Sequence, residues 1–207
     1  LNQISKTPMS VFFKQKNIYL LSTSPERFIK RIGDKIISQP IKGTSRRDSN
    51  KVIDFKLKKD LNNNPKERSE NIMIVDLVRN DMSKFSKPGS VKVKELCEVY
   101  SFKQVHQMIS TIESLIYDKT KISEIINGTF PMGSMTGAPK VKAMKIIDKL
   151  EVSKRGLYSG AVGFIDPNKN FDFNVVIRSI IYDSQSKYLS FHVGSAITSK
   201  SVPLKEY

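Results

Sequence analysis

A single cysteine in 207 residues, Cys97, rules out an internal disulfide. A lone thiol suits a reducing compartment, so a cytoplasmic location is expected, and Cys97 is most simply a small buried side chain. Apolar runs are short. None approaches the roughly 18 residues that a membrane-spanning helix needs, so no membrane partner is expected. No internal repeat or low-complexity linker divides the sequence, and 207 residues fit one domain with room for a sizeable core. The sequence opens on Leu1 rather than Met and stops at Tyr207 in a polar stretch that reads like a helix start. Residues 1–207 are therefore expected to be one domain, cut from a longer protein at both ends.

Acidic residues are scarce: 20 Asp+Glu face 35 Lys+Arg, a formal charge of +15 at pH 7. Such an excess fits either nucleic acid or an anionic small substrate. The distribution disfavours the first. Basic residues are scattered from Lys6 to Lys205 without a block of five or six, and arginine is the minority. Zinc-finger spacing, an RNP aromatic pair and a basic zipper are all missing. A basic nucleic-acid-binding module is kept only as a distant alternative.

Hydrophobic patterning is mixed. Strands are expected at 11–13, 18–21, 35–41, 91–100, 105–112, 158–165, 171–182 and 187–197, where β-branched and apolar residues cluster, with a helix as the alternative at 105–112. Helices are expected at 48–61, with Val52, Phe55 and Leu61 on one side and the Asn-Asn-Asn-Pro run of 62–65 as its stop, and at 66–80. Two more are expected at 122–127, closed by Gly128, and from Pro139 to Leu150, with proline where it costs least. Runs of strands with helices between them indicate an α+β fold, mostly antiparallel.

Several residues invite a chemical reading. Lys42 follows Ile36, Ile37 and Ile41 and precedes Gly43, a residue that lets backbone approach a ligand. Burial turns such a lysine into an amine nucleophile, although a stem packed on apolar surface with its head in water is the plainer reading of this motif alone. Glu67 and Glu70 share a helix face and offer hard oxygen ligands for Mg²⁺, or else form an ordinary solvated face with Lys66 and Arg68. GSMTGAPK at 133–140 fails the Walker A spacing, yet a Gly- and Ser-rich turn entering a helix N-terminus is an anion site. Arg178 presents a planar fork for a carboxylate, or pairs with Asp166 or Asp172. Glu26 either pairs with Arg27 at the surface or, if desolvated, holds a proton near neutrality.

Taken in order, SPERF at 24–28, PIKGT at 40–44, Glu67 with ENIMIVDLVRND at 70–81, PMGSMTGAPK at 131–140, FNVVIR at 173–178 and VGSAI at 193–197 resemble the chorismate-utilising enzymes. The resemblance runs from about residue 10 to 207. It implies a four-layer α/β/β/α sandwich of two antiparallel sheets, of which this chain would be the C-terminal chorismate-binding catalytic domain. Within the family, Lys42 and the Phe173-Asn174-Val175 run look like the aminodeoxychorismate branch. The anthranilate, isochorismate and salicylate branches usually carry Ala at the Lys42 place, and the anthranilate branch is the alternative reading.

The resemblance implies amination of chorismate at C4 with ammonia, for 4-aminobenzoate and folate synthesis. Glu26 would be the acid that protonates the C4 hydroxyl, and Lys42 the nucleophile that forms a covalent adduct. Gly43, Thr44, Gln107, Ser134, Thr136, Arg178, Gly194 and Ala196 would bind substrate. Glu67, Glu70 and Glu206 would hold Mg²⁺, with a further ligand beyond Tyr207. Ammonia would come from a glutamine amidotransferase, as a subunit or fused domain; Cys97 has no triad context. Three places depart from the family pattern. Gln107 stands where a histidine is common, with His106 one residue earlier and facing the other way. The family's tyrosine near the enolpyruvyl carboxylate corresponds to Phe164, which lacks the hydroxyl. Ala196 replaces a glycine, keeping only its backbone N–H for a carboxylate.

Overall fold

The computed structural model describes residues 3, 5–199 and 201–206. Leu1 and Tyr207, the two chain ends singled out above, lie outside the described residues. Strands β1 (Met9–Gln15), β2 (Ile18–Ser24), β3 (Arg27–Ile32), β4 (Lys35–Gln39) and β5 (Ile41–Arg46) come first, then helices α1 (Lys51–Asn63) and α2 (Pro65–Ser83). The hairpin β6 (Lys92–Ser101) and β7 (Val105–Leu115) leads to α3 (Ile122–Thr129), a 3₁₀ turn (Gly133–Met135) and α4 (Lys140–Leu150). β8 (Ala161–Ile165), β9 (Phe171–Val175), β10 (Ser179–Asp183), β11 (Tyr188–Phe191) and α5 (Pro203–Glu206) complete the order.

Two sheets result, and every strand pair in them is antiparallel. The small one runs β1-β2-β10-β11; the large one runs β5-β7-β4-β3-β9-β8, with β6 on the other side of β7. The fold is the expected α+β arrangement of two antiparallel sheets. Its main core lies between the large sheet and α2 with α3, where Ile36, Val75, Met82, Ile112, Ile116 and Ile125 are buried together. Position explains α2: Asn64 caps it by accepting from the N–H groups of Lys66 and Glu67, and Pro65 fills the first turn.

Where the expected elements fail, the chain changes sheets or changes direction. The expected strand 171–182 is two strands: β9 belongs to the large sheet and β10 to the small one. Between them Arg178 takes a left-handed φ of 50°, where the chain passes from one sheet to the other. Likewise β2 ends at Ser24 in the small sheet and β3, which the patterning did not anticipate, starts at Arg27 in the large one. The expected strand 35–41 breaks at Pro40, which has no N–H to give a ladder, and resumes as β5. Residues 156–159 form a turn, so that strand begins at Ala161, and the last expected strand ends at Phe191 rather than 197.

The helices differ at their ends. α1 starts three residues later than expected because Asn50, not Asp48, is its cap, accepting from the Val52 and Ile53 N–H groups. Only Leu61 of its expected apolar face is buried; Val52 and Phe55 are exposed. α2 continues past Asn80 to Ser83. α3 includes Gly128 instead of stopping there, because the missing Cβ lets Phe85 approach: a Cβ at Gly128 would lie 2.9 Å from its ring. Among the described residues no helix is long and apolar enough to cross a membrane.

Candidate active site

Both passages between the sheets run side by side. The Thr23 N–H donates to the Arg178 carbonyl at 3.2 Å, and the Val175 N–H to the Glu26 carbonyl at 3.1 Å. This puts Glu26 and Arg178 next to each other at the seam, although they are 152 positions apart in sequence. Glu26 is 4% exposed. Burial pushes its carboxyl pKa up; a hydrogen bond from Ser134, the charge of Lys42, the Ile41 N–H and the charge of Arg178 oppose that in decreasing order. A surface pair with Arg27 does not form, because that guanidinium is bound to Asp172 at 2.9 Å and to Gln39.

Arg178 is free of the alternatives considered for it. Asp172 is held by Arg27 and by Lys30, 3.7 Å away, and Asp166 is held by Asn170 at 2.9 Å. Burial lowers the Arg178 pKa and the nearby Glu26 carboxylate raises it. A desolvated guanidinium with no ion pair among the described residues is a ready carboxylate receptor.

Lys42 is half-buried on β5. Its charge is felt by Glu26 on one side and Glu67 on the other, so it stands between the acid and the carboxylate cluster. Gly43 beside it has φ +98° and lies against α2. Thr44 pairs with Gln107 across β5 and β7 and is exposed. Gln107 is 1% exposed, and its side-chain oxygen has no hydrogen-bond partner among the described residues. His106 faces elsewhere: it bonds Ser101 at 2.9 Å and Asp54 at 3.0 Å, tying the β6–β7 hairpin to α1.

The turn of 133–136 sits over this seam. Ser134 reaches Glu26, whereas the Thr136 hydroxyl is used internally, donating to the Met132 carbonyl at 2.9 Å. Arg155 braces the turn by donating to the Met135 carbonyl at 2.7 Å and to Ser159 at 3.2 Å, while Glu151 grips its other edge. An open cleft of about 270 Å³ beside the turn is lined by Thr136, Met144, Arg155, Tyr158 and Gly160.

Gly194 borders Tyr158: a Cβ there would stand 2.8 Å from the tyrosine hydroxyl. This corrects the expectation placed on Phe164, which is 64% exposed on the outer strand β8. The hydroxyl near Gly194 comes from Tyr158, which stacks on His192 with ring centroids 5.2 Å apart. Ala196 is half-buried and its carbonyl accepts from Ser201 at 3.3 Å.

Glu67, Glu70 and Glu206 converge. Burial raises the Glu67 pKa, Glu70 and Glu206 raise it further, and Lys66 and Lys42 oppose them. The cation among them is Lys66, 2.8 Å from Glu206 and 3.9 Å from Glu70. Among the described residues no group of three or more His, Cys, Asp or Glu side chains is arranged to hold a metal ion. The donor chemistry nevertheless fits a hard cation, and one buried Glu70 oxygen has no hydrogen-bond partner among the described residues. Cys97 is buried, and burial raises its thiol pKa.

The patterning missed Asn71, Asp81, Lys140, Arg155 and Tyr158 as members of this region. Lys140 bonds Asp81 and donates to the Thr129 carbonyl at 3.0 Å, holding the start of α4 against α2 and α3. Asn71, Asp81 and Lys140 at least stand inside motifs quoted above; Arg155 and Tyr158 stand in none of them.

All 207 residues match the model of a family described as chorismate binding enzymes. The aminodeoxychorismate synthase of Arabidopsis thaliana chloroplasts is 43% identical over 212 residues, covering 100% of this chain and 23% of that protein. Aminodeoxychorismate synthase component 1 of Escherichia coli is 40% identical over 207 residues, covering 100% of this chain and 45% of that protein. The chain thus spans less than half the length of these relatives. Among solved structures, anthranilate synthase component I of Streptococcus pneumoniae superposes with a TM-score of 0.87 at 28% identity, over 100% of this chain and 45% of its own. Matched end to end by the family model, the chain belongs to the chorismate binding enzymes.

Proposed function

We propose that this chain carries the catalytic centre that aminates chorismate at C4, giving 4-amino-4-deoxychorismate on the way to 4-aminobenzoate. The observation that carries the reading is the placement of Lys42 beside the buried acid Glu26, with Arg178 at the same seam. Chorismate is a dianion whose C4 hydroxyl leaves poorly. Glu26, kept protonated by burial, gives its proton to that hydroxyl, which departs as water. The Lys42 amine bonds to C2, the two ring double bonds shift, and the C4–O bond breaks. Ammonia then bonds to C4, the double bonds shift back, and the C2–N bond to Lys42 breaks. The balance is chorismate and ammonia in, product and water out. Covalent catalysis replaces one hard displacement by two easier ones.

Arg178, the Tyr158 hydroxyl and the backbone N–H groups of Gly194 and Ala196 would receive one carboxylate. Ser134 and Thr136 would border the ring carboxylate, and Gly43, Thr44 and Gln107 the ring itself. Glu67, Glu70 and Glu206 would hold Mg²⁺ once Lys66 moves aside, and the ion would supply positive charge for the ring carboxylate. A glutamine amidotransferase, separate or fused, would deliver the ammonia. Similarity to an anthranilate synthase structure supports the second reading, amination at C2.

The test is product identity. The full-length protein with chorismate, Mg²⁺ and an ammonium salt should yield 4-amino-4-deoxychorismate by chromatography, and 4-aminobenzoate once a lyase is added. Anthranilate or isochorismate as the main product overturns the reading.

A further inference from the structure

The ladder between β5 and β7 is broken where Lys42 sits. Ile41 pairs with Ile109 and Thr44 with Gln107, so the register shifts across Lys42 and Gly43. A bulge of this kind re-aims a side chain and leaves backbone groups without strand partners. Buried carbonyls in that state are costly unless something else donates to them. Asn71 donates: its side-chain Nδ2 lies 3.2 Å from the Lys42 carbonyl and 3.3 Å from the Met108 carbonyl.

Asn71 itself has little freedom. It is 1% exposed and follows Glu70 on α2. Its Oδ1 accepts the Ser110 hydroxyl proton, and the Ser110 oxygen accepts the Cys97 N–H at 2.9 Å. Both amide protons and the amide oxygen are therefore engaged. The planar amide can neither flip nor turn without leaving a buried group unpaired.

The geometry points to Asn71 as the positioning residue of the reaction: it fixes the bulge that aims the Lys42 amine, and it registers Lys42 to the helix bearing Glu67 and Glu70. This rests on the reading of Lys42 as the nucleophile. Asn71 touches only the backbone of Lys42, so its effect passes through where that side chain points. Misplacing a reacting group by about 1 Å costs up to about 10²-fold in rate.

The experiment is a double-mutant cycle in the full-length protein with Asn71→Asp and Lys42→Ala. Asn71→Asp keeps the size and the acceptor for Ser110 but loses both donors and faces two carbonyls with a carboxyl oxygen. In the wild type it should lower kcat by roughly 10- to 100-fold and leave the KM for chorismate within about twofold. The rate at which an adduct on Lys42 accumulates without ammonia, read by intact-protein mass, should fall by the same factor. In the Lys42→Ala background the same substitution should change residual turnover by less than about twofold, since the residue it serves is gone. Equal losses in both backgrounds, or no loss in the wild type, overturn the proposal. Lys42→Ala with wild-type turnover also overturns it, by a separate route, because the nucleophile reading itself has then failed. Should Asn71→Asp not fold, Ser110→Ala takes its place in the cycle: it frees the Asn71 oxygen without adding charge, and the same non-additive loss, smaller in size, is expected.

Discussion

Gly43 is seated directly on Glu67. A Cβ at Gly43 would stand 3.3 Å from the Glu67 Cβ, 3.3 Å from its Oε2 and 3.2 Å from the Met108 Cβ. The φ of +98° at this position adds backbone strain for any other residue. Gly43→Ala should therefore cost about 1–3 kcal/mol of stability. It should also raise the Mg²⁺ concentration at half-maximal activity, because the carboxylate it displaces is a proposed metal ligand. Thermal denaturation and a Mg²⁺ titration of turnover check the two effects. Unchanged values for both would mean that β5 and α2 are not held this close.

Glu26 couples stability to activity with opposite signs. Its folded pKa lies above the ordinary carboxylate value because of burial. Below that ordinary value the carboxyl is protonated in both folded and unfolded chains and has no effect on the balance. As pH rises toward the folded pKa, only the unfolded chain releases the proton, so the folded state loses stability. Glu26→Gln removes that penalty. The variant should melt higher than the wild type, by more at pH 8 than at pH 5, while chorismate turnover falls at least about a hundredfold. In the wild type, kcat should decline on the alkaline side as Glu26 loses its proton. A Gln variant that keeps wild-type turnover would take the acid role away from Glu26.

Asp81 and Lys140 tie the start of α4 to α2 and α3, next to the turn of 133–136. Asp81 is 3% exposed and also meets Lys84 at 2.8 Å, while Lys140 reaches the Thr129 carbonyl. Lys140→Met leaves Asp81 with Lys84 alone and takes the donor from the Thr129 carbonyl. It should cost about 1–3 kcal/mol and raise the KM for chorismate, because the start of α4 loosens next to residues 133–136. Asp81→Asn with Lys140→Met should recover part of that loss, a non-additivity that equilibrium unfolding can read. Full additivity would mean that the two side chains do not act on each other.

Much of this site was legible in the sequence, and the reasons are local. Glu26, Lys42, Ser134 and Arg178 stand in short motifs, and the structure collects them at the seam between the sheets. The seam itself was not legible. Nothing in the β-rich stretch from Phe171 to Tyr182 marks the change of sheet, because the break is only three residues, 176–178, the last of them left-handed Arg178. Tyr158 was missed for a related reason: it reads as the start of a strand, yet a turn before Ala161 points it at Gly194. Asn71 reads as one polar residue inside a helix. Its value comes from a bulge on β5, which only tertiary pairing reveals.

Lys66 and a divalent cation should compete for one place. The ammonium lies 2.8 Å from Glu206 and 3.9 Å from Glu70, and these carboxylates raise its pKa, Glu206 foremost. The same contact holds the Glu206 pKa down, together with the Ser195 hydroxyl. A Mg²⁺ ion bound as proposed would need those oxygens, so the lysine would have to swing out, and its part-exposed stem leaves room for that. Lys66→Gln removes the competing charge without removing a proposed ligand. The variant should reach half-maximal turnover at a severalfold lower Mg²⁺ concentration than the wild type, while Glu70→Ala should lose Mg²⁺-dependent activity and keep α2, since alanine is the best helix former. A Lys66→Gln variant that needs more Mg²⁺ would show that the ammonium supports the metal site. A Glu70→Ala variant fully active with chelator present would remove the cation from the mechanism.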